Sequence, residues 1–130
     1  MIIVRAVLDA IVAHARAAQP LECCGILIGR GDRITAAVAA RNLEASQTRY
    51  LIDPGDHIRA RRQAREAGDE VLGFYHSHPA SPPVPSPRDI AEASYPECVW
   101  LIVGLSGEVD AGLFTIAEGS ATSLPLSVEE

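Results

Sequence analysis

The apolar positions change period several times along the chain, and each change predicts an element. "MIIV" at residues 1–4 reads as a short first strand. From Arg5 to Ala18, Val7, Leu8, Ile11, Ala15 and Ala18 recur at helical spacing while Arg5, Asp9 and Arg16 take the other face, and Pro20 ends the helix. "ECCGILIG" is a short apolar run bounded by glycine, predicting a buried strand, with "RGD" as the turn into a second hairpin arm, "RITAAVAARN". "LEASQTR" is a polar loop, "YLI" a short strand and "DPGD" a cap and turn before a helix from about His57 to Ala67, closed by Gly68. "EVLGFYHSH" is rich in β-formers and reads as a central strand. A proline-rich loop and a short helix from Pro87 to about Ser94 follow, and "ECVWLIVGL", "EVDAGLFTIA" and "TSLPLSV" supply three more strands.

Strands alternating with helices in this order predict an α/β fold, a three-layer sandwich with a mixed β-sheet. No repeat or long linker interrupts the 130 residues, so residues 1–130 are expected to form a single domain.

Composition narrows the partners. A net charge of −6 argues against nucleic acid. No apolar run approaches the roughly 20 residues that a membrane helix needs. The N-terminus lacks the pattern of a secretory signal. Three cysteines, two of them adjacent, make neither a disulfide framework nor a CxxC metal knuckle, so the reducing cytoplasm is the expected compartment. The arginines around the second predicted helix read as a solvated face.

The candidate chemistry lies in "GFYHSHPASPPVPSPRDI", residues 73–90. His76 and His78 are two apart, so in a strand they leave the same face with Cα atoms about 6.5–7 Å apart. Two imidazoles so placed can converge on one metal ion at about 2.0–2.1 Å each. Asp89 is the best nearby oxygen ligand, reached through a loop stiffened by prolines 79, 82, 83, 85 and 87. The same letters also support a plainer reading. "SPRD" is a helix start, with Ser86 as N-cap, Pro87 at the first helical position and Asp89 at N3, which alone would account for Asp89. Spacing leaves both open. Ser77 points to the other face of the strand and is assigned a structural or supporting role without metal contact. His14 and His57 read as packing or surface residues, Cys24 and Cys98 as buried and inert, and Phe74 and Trp100 as core aromatics.

"HSHP", followed by Ser86 and Asp89, resembles the H-[S/T]-H-P-x6-S-x2-D signature of the JAMM (MPN+) metalloproteases. That family carries an upstream glutamate before an apolar strand, and "PLECCGILIG" offers Glu22 there. Both halves match at every key position, and the similarity extends through "RNLEASQTRYLIDPGD" and "AREAGDEVLGFYHSHP" to nearly the whole chain. The resemblance implies an MPN/JAMM, cytidine-deaminase-like sandwich. It implies one Zn2+ per chain held by His76, His78 and Asp89, with Glu22 as general base and Ser86 supporting the oxyanion.

Small bacterial members of the family resemble this chain in size. Their association implies hydrolysis after the C-terminal Gly-Gly of a ubiquitin-like or sulfur-carrier protein. Two alternatives stand beside it: a deubiquitinase-like isopeptidase acting on lysine conjugates, and a non-catalytic MPN interaction module, although no key residue is replaced here. A nucleoside deaminase would need H-x-E and P-C-x-x-C elements, which the sequence lacks. A homodimer is left open.

Overall fold

The computed structural model describes residues 1–130. One continuous sheet of eight strands runs through them in the order β7-β6-β5-β4-β2-β3-β1-β8. β1 (Ile2–Val4) passes directly into α1 (Arg5–Ala18), whose apolar stripe buries Ile11 and Ala15. β2 (Cys24–Arg30) and β3 (Arg33–Ala40) form the expected hairpin, turning at Gly31, whose φ of 57° suits a residue without Cβ. β4 (Glu70–His78) pairs antiparallel with β2 and parallel with β5 (Val99–Gly104), so it is covered on both edges. β6 (Asp110–Ala117) and β7 (Ser120–Leu124) complete that half of the sheet.

The sheet is mixed, and the layers are three. On one face α1 packs over Ile3, Leu27, Ile34, Leu101 and Leu113. On the other, α2 (Pro54–Glu66) lays Ala60 and Ala64 against Ile26, Phe74 and Trp100. α3 (Pro87–Glu92) lies beyond the end of β4. Phe74, Trp100, Cys24 and Cys98 are buried as expected. No helix is long and apolar enough to cross a membrane.

Three expectations are corrected. "TSLPLSV" is not one strand. Pro125 cannot donate to a ladder, and the chain breaks there into β7 and β8 (Ser127–Glu129). β8 then pairs parallel with β1 at the opposite end of the strand order. Neighbouring residues thus join the sheet's two extremes, which requires the sheet to curl around α1. The "YLI" strand is absent, leaving an isolated bridge between Asn42 and Ile52. The Asn42 amide oxygen accepts the N–H groups of Glu44 and Leu51, closing the loop on itself. Finally, α2 begins at Pro54 rather than near His57. The Asp53 carboxylate accepts from the N–H groups of Gly55 and Asp56, and Pro54 fits the first turn, so "DPGD" opens the helix.

Candidate metal centre

His76 and His78 occupy the last turns of the pleat of β4 and leave its α2 face together, both buried. β4 and β5 are parallel, so the pair lies at the carboxyl end of adjacent parallel strands, a position where α/β sheets place ligands. β2 runs antiparallel to β4 with Cys24 opposite His76, so the residues just before β2 lie beside the histidines. Alternation then puts Glu22 on the histidine face and Cys23 on the α1 face. A register of this kind is what brings together residues more than fifty positions apart.

The proline-rich segment returns the chain to the same spot. The backbone N–H of Leu105 donates to the His78 carbonyl at 3.1 Å. The segment packs against β5 and β6, where a Cβ on Gly104 would fall 2.9 Å from the Pro83 ring. Ser86 then caps α3. Its Oγ accepts the Asp89 N–H at 3.0 Å, and its own N–H donates to Asp89 Oδ2 at 2.9 Å. The capping reading is therefore correct as geometry. The same Oδ2 also faces the histidines, in a position open to a ligand role. His76 Nε2 and His78 Nε2 are 3.2 Å apart, and each lies 3.1 Å from Asp89 Oδ2. Capping orients the carboxylate and leaves it aimed at the pair.

These three distances test the fit to an ion. Ligand atoms about 2.0–2.1 Å from a tetrahedral centre are about 3.3–3.4 Å from one another, close to what the trio shows. His78 Nδ1 lies 2.8 Å from the Pro82 carbonyl oxygen, so Nδ1 carries the proton and Nε2 presents a lone pair. Two imidazole nitrogens and one carboxylate oxygen form a donor set suited to zinc, with a fourth position to spare. The side chains present fit the metal.

Electrostatics follow from burial and crowding. Burial pushes the Asp89 carboxyl up, but its close contacts with the His76 and His78 imidazoles outweigh it and hold the group well below the usual carboxylate range. Burial lowers His76 against the pull of Asp89. His78 is also opposed by burial, yet Asp89 and the Pro82 carbonyl raise it. Glu22 is only 5% exposed, and its Oε1 has no hydrogen-bond partner. Burial, reinforced by Asp89 and opposed by His78, raises its carboxyl to about 7. A carboxyl poised near neutrality, with Oε1 buried and unpaired beside a donor set that could hold a metal, is a candidate general base. Cys24, by contrast, is pushed up to about 12 by burial, which removes it as a nucleophile.

Two further contributors were not legible in the sequence, and a third, Ser77, was legible only as a supporting residue. Tyr50 stacks on His76 with ring centroids 4.3 Å apart. Asn42 donates from Nδ2 to the carbonyls of Glu22 and Arg49. Ser77 bonds the backbone of Cys23. "RN" after a strand hints at an asparagine-organised turn, but no local signal says that its amide reaches Glu22. His14 does not approach the site, and its Nδ1 meets the Tyr75 hydroxyl at 2.7 Å. His57 packs edge-on against Phe74 and Tyr95. A cleft of about 420 Å³, lined among others by Tyr50, Phe74, Tyr95 and Trp100, meets the site only at Tyr50.

Residues 4–115 match the family described as prokaryotic homologues of the JAB domain. The chain is 40% identical over 114 residues to a desampylase of Haloferax volcanii, covering 82% of each protein. It is 32% identical to the CysO-cysteine peptidase of Mycobacterium tuberculosis, covering all of this chain and 92% of that one. Among solved structures, that of protein DSY2949 from Desulfitobacterium hafniense superposes with a TM-score of 0.91 at 31% identity, covering all of this chain and 94% of that one. A JAB1/MPN domain protein from Archaeoglobus fulgidus shares the fold with a TM-score of 0.68 at 21% identity over the full length of both chains. The motif, the sheet and the extent of the match agree, and the chain belongs to the family of prokaryotic JAB-domain homologues.

Proposed function

We propose that this protein is a zinc metallopeptidase that hydrolyses the bond after the C-terminal Gly-Gly of a ubiquitin-like or sulfur-carrier protein. The observation that carries this reading is the convergence of His76 Nε2, His78 Nε2 and Asp89 Oδ2 within 3.1–3.2 Å, with the partnerless Glu22 carboxylate buried on the same face. The relatives supply the substrate class. One is a CysO-cysteine peptidase, and another, 33% identical over 121 residues, is a probable TtuB-protein conjugate cleaving protease of Thermus thermophilus.

His76, His78 and Asp89 would hold one zinc ion. Bound zinc supplies a Lewis acid that polarises the scissile carbonyl and brings the pKa of a water towards about 7. Glu22 accepts the proton from the attacking water and returns it to the departing amine. The Ser86 Oγ is already an acceptor for Asp89 N–H, which leaves its O–H free to donate to the developing oxyanion. Three free thiols suit a reducing compartment, and we place the activity in the cytoplasm.

The two relatives differ in what leaves, an amino acid in one name and a protein conjugate in the other. The decisive experiment offers both substrates: a carrier whose Gly-Gly tail bears one extra amino acid, and the same carrier joined to a lysine side chain. Cleavage of the first at a higher kcat/KM supports the leading reading. Preference for the second makes the protein an isopeptidase. Cleavage of neither by zinc-loaded protein returns it to an interaction module. In parallel, metal-stripped protein should bind one zinc, and Asp89→Ala should lose most of that affinity. Zinc at 100 times its Kd should stabilise the wild type by about 2.7 kcal/mol. Equal affinity in the two proteins would leave Asp89 as a helix cap alone.

A further inference from the structure

Glu22 lies just before β2, outside the ladder that orders its neighbours. Something else must fix its backbone. Its N–H donates to the Ser46 carbonyl at 2.8 Å. The peptide that links it to Cys23 is held at both edges. On one edge, Asn42 Nδ2 donates to the Glu22 carbonyl at 3.1 Å. On the other, the Cys23 N–H donates to Ser77 Oγ at 2.9 Å. Ser77 also donates its own N–H to the Cys23 carbonyl at 3.1 Å.

Ser77 is fully buried and stands between the two metal-facing histidines, with its side chain on the opposite face of β4. In a regular antiparallel pair the Cys23 N–H would bond the Ser77 carbonyl. Here the hydroxyl takes that place, so the chain leaves the ladder one residue before β2 without orphaning a buried donor. The histidine strand thereby grips the peptide plane that aims Glu22.

We propose that Ser77 is a positioning residue for the general base: through the Glu22–Cys23 peptide it sets the Glu22 carboxylate relative to the His76–His78–Asp89 trio. It touches neither metal nor substrate. The inference rests on the reading of Glu22 as base, and it assigns the serine of "HSH" a task that its neighbours do not share. Removing the hydroxyl frees one edge of the peptide, and a misplacement on the order of 1 Å at a reacting group costs about 100-fold in rate.

The test uses full-length protein as wild type, Ser77→Ala, Ser77→Thr, Glu22→Gln and the Ser77→Ala/Glu22→Gln double variant. Turnover is read on the carrier extended by one amino acid, with a zinc titration and amide hydrogen exchange on the metal-free forms. Ser77→Ala should lower kcat about 10- to 100-fold, while KM and zinc affinity stay within about twofold. Threonine keeps the Oγ and should recover most of the loss. The Cys23 amide should exchange faster in Ser77→Ala, a readout that needs no substrate. In the double variant, Ser77→Ala should cost almost nothing beyond Glu22→Gln, because the base it aims is gone.

Wild-type kcat in Ser77→Ala, an unchanged Cys23 amide, or equal losses with and without Glu22 would each overturn the proposal. A loss of zinc affinity that matches the loss of turnover would overturn it too, since Ser77 would then act through the ligands. Full turnover in Glu22→Gln would instead defeat the reading of the base, an outcome separate from these. Should Ser77→Ala not fold, Ser77→Cys, with nearly the same volume and a poor acceptor, takes its place with the same expectations.

Discussion

At the scale of single residues, the site depends on groups whose surroundings oppose their charge. Glu22 shows this most plainly, because burial raises its carboxyl to about 7 from an ordinary 4.5. The native state therefore binds that proton more tightly than the unfolded chain does. Its contribution to stability is complete below about pH 4.5 and is lost as pH rises through 7. Glutamine resembles the protonated form at all pH values. Metal-free Glu22→Gln should thus match the wild type near pH 4 and melt at a higher temperature at pH 8, as thermal denaturation across that range would show. A gap between the two that does not change with pH would mean that Glu22 is not desolvated. The identity of this residue was legible from its motif context. Its protonation behaviour was not, since that follows from burial in the folded chain and from the nearness of His78 and Asp89.

At the scale of elements, the shortest helix carries the most constraint. α3 spans only Pro87–Glu92, yet its capping box fixes the carboxylate that faces His76 and His78. "SPRD" predicts that cap, and at the level of sequence a ligand role for Asp89 competes with it. One Asp89 oxygen closes the cap and also faces His76 and His78, which periodicity along a chain cannot reveal because the second set of partners comes from β4. Ser86→Ala separates the observed cap from the proposed oxyanion role of that serine. Loss of the cap should reduce stability by about 0.5–2 kcal/mol. Loss of an oxyanion donor should lower kcat by about 10²–10³. A thermal melt beside steady-state kinetics measures both, and a variant that is merely less stable confines Ser86 to capping. The loop before α2 was harder to read. "YLI" has the composition of a strand, but Asn42 uses both Nδ2 and Oδ1 on the loop backbone and draws Tyr50 over His76 instead.

On the scale of the whole molecule, the curl of the sheet decides what is near what. β7 and β8 are separated by Pro125 and Leu126, yet they sit at opposite ends of the strand order. β8 closes the β1 edge, with Arg33–Glu129 and Arg5–Glu130 ion pairs on the exposed surface. Removing residues 127–130 should uncover β1 and cost about 2–4 kcal/mol, counting a few lost backbone hydrogen bonds at about 1 kcal/mol each. That corresponds to a fall in Tm on the order of 10 °C. High salt should do much less, because exposed pairs contribute little. Zinc binding should survive the truncation, since the trio lies on β4 and α3. A melt and a zinc titration of the shortened chain check both statements. Loss of zinc binding in a folded variant would show that the edge and the site are coupled.

The sequence by itself determined the local structure and the chemistry on offer. Helical and strand periods placed α1, the β2–β3 hairpin and β4, because those elements are specified by which face is apolar. It also offered His76, His78 and Asp89 as candidate donors, with Glu22 joined to them only through the family motif they resemble. Tertiary structure decided the rest. The antiparallel register of β2 on β4 set Glu22 beside the histidines, and the return of the proline-rich segment aimed Asp89 at them. The curl of the sheet sent β8 to β1. The Glu22–Cys23 peptide found its two clamps in Asn42 and Ser77. Each of these is a contact between residues far apart in the chain. Such contacts are fixed by which buried polar groups must find partners once the layers close, and no pattern along a single segment carries that information.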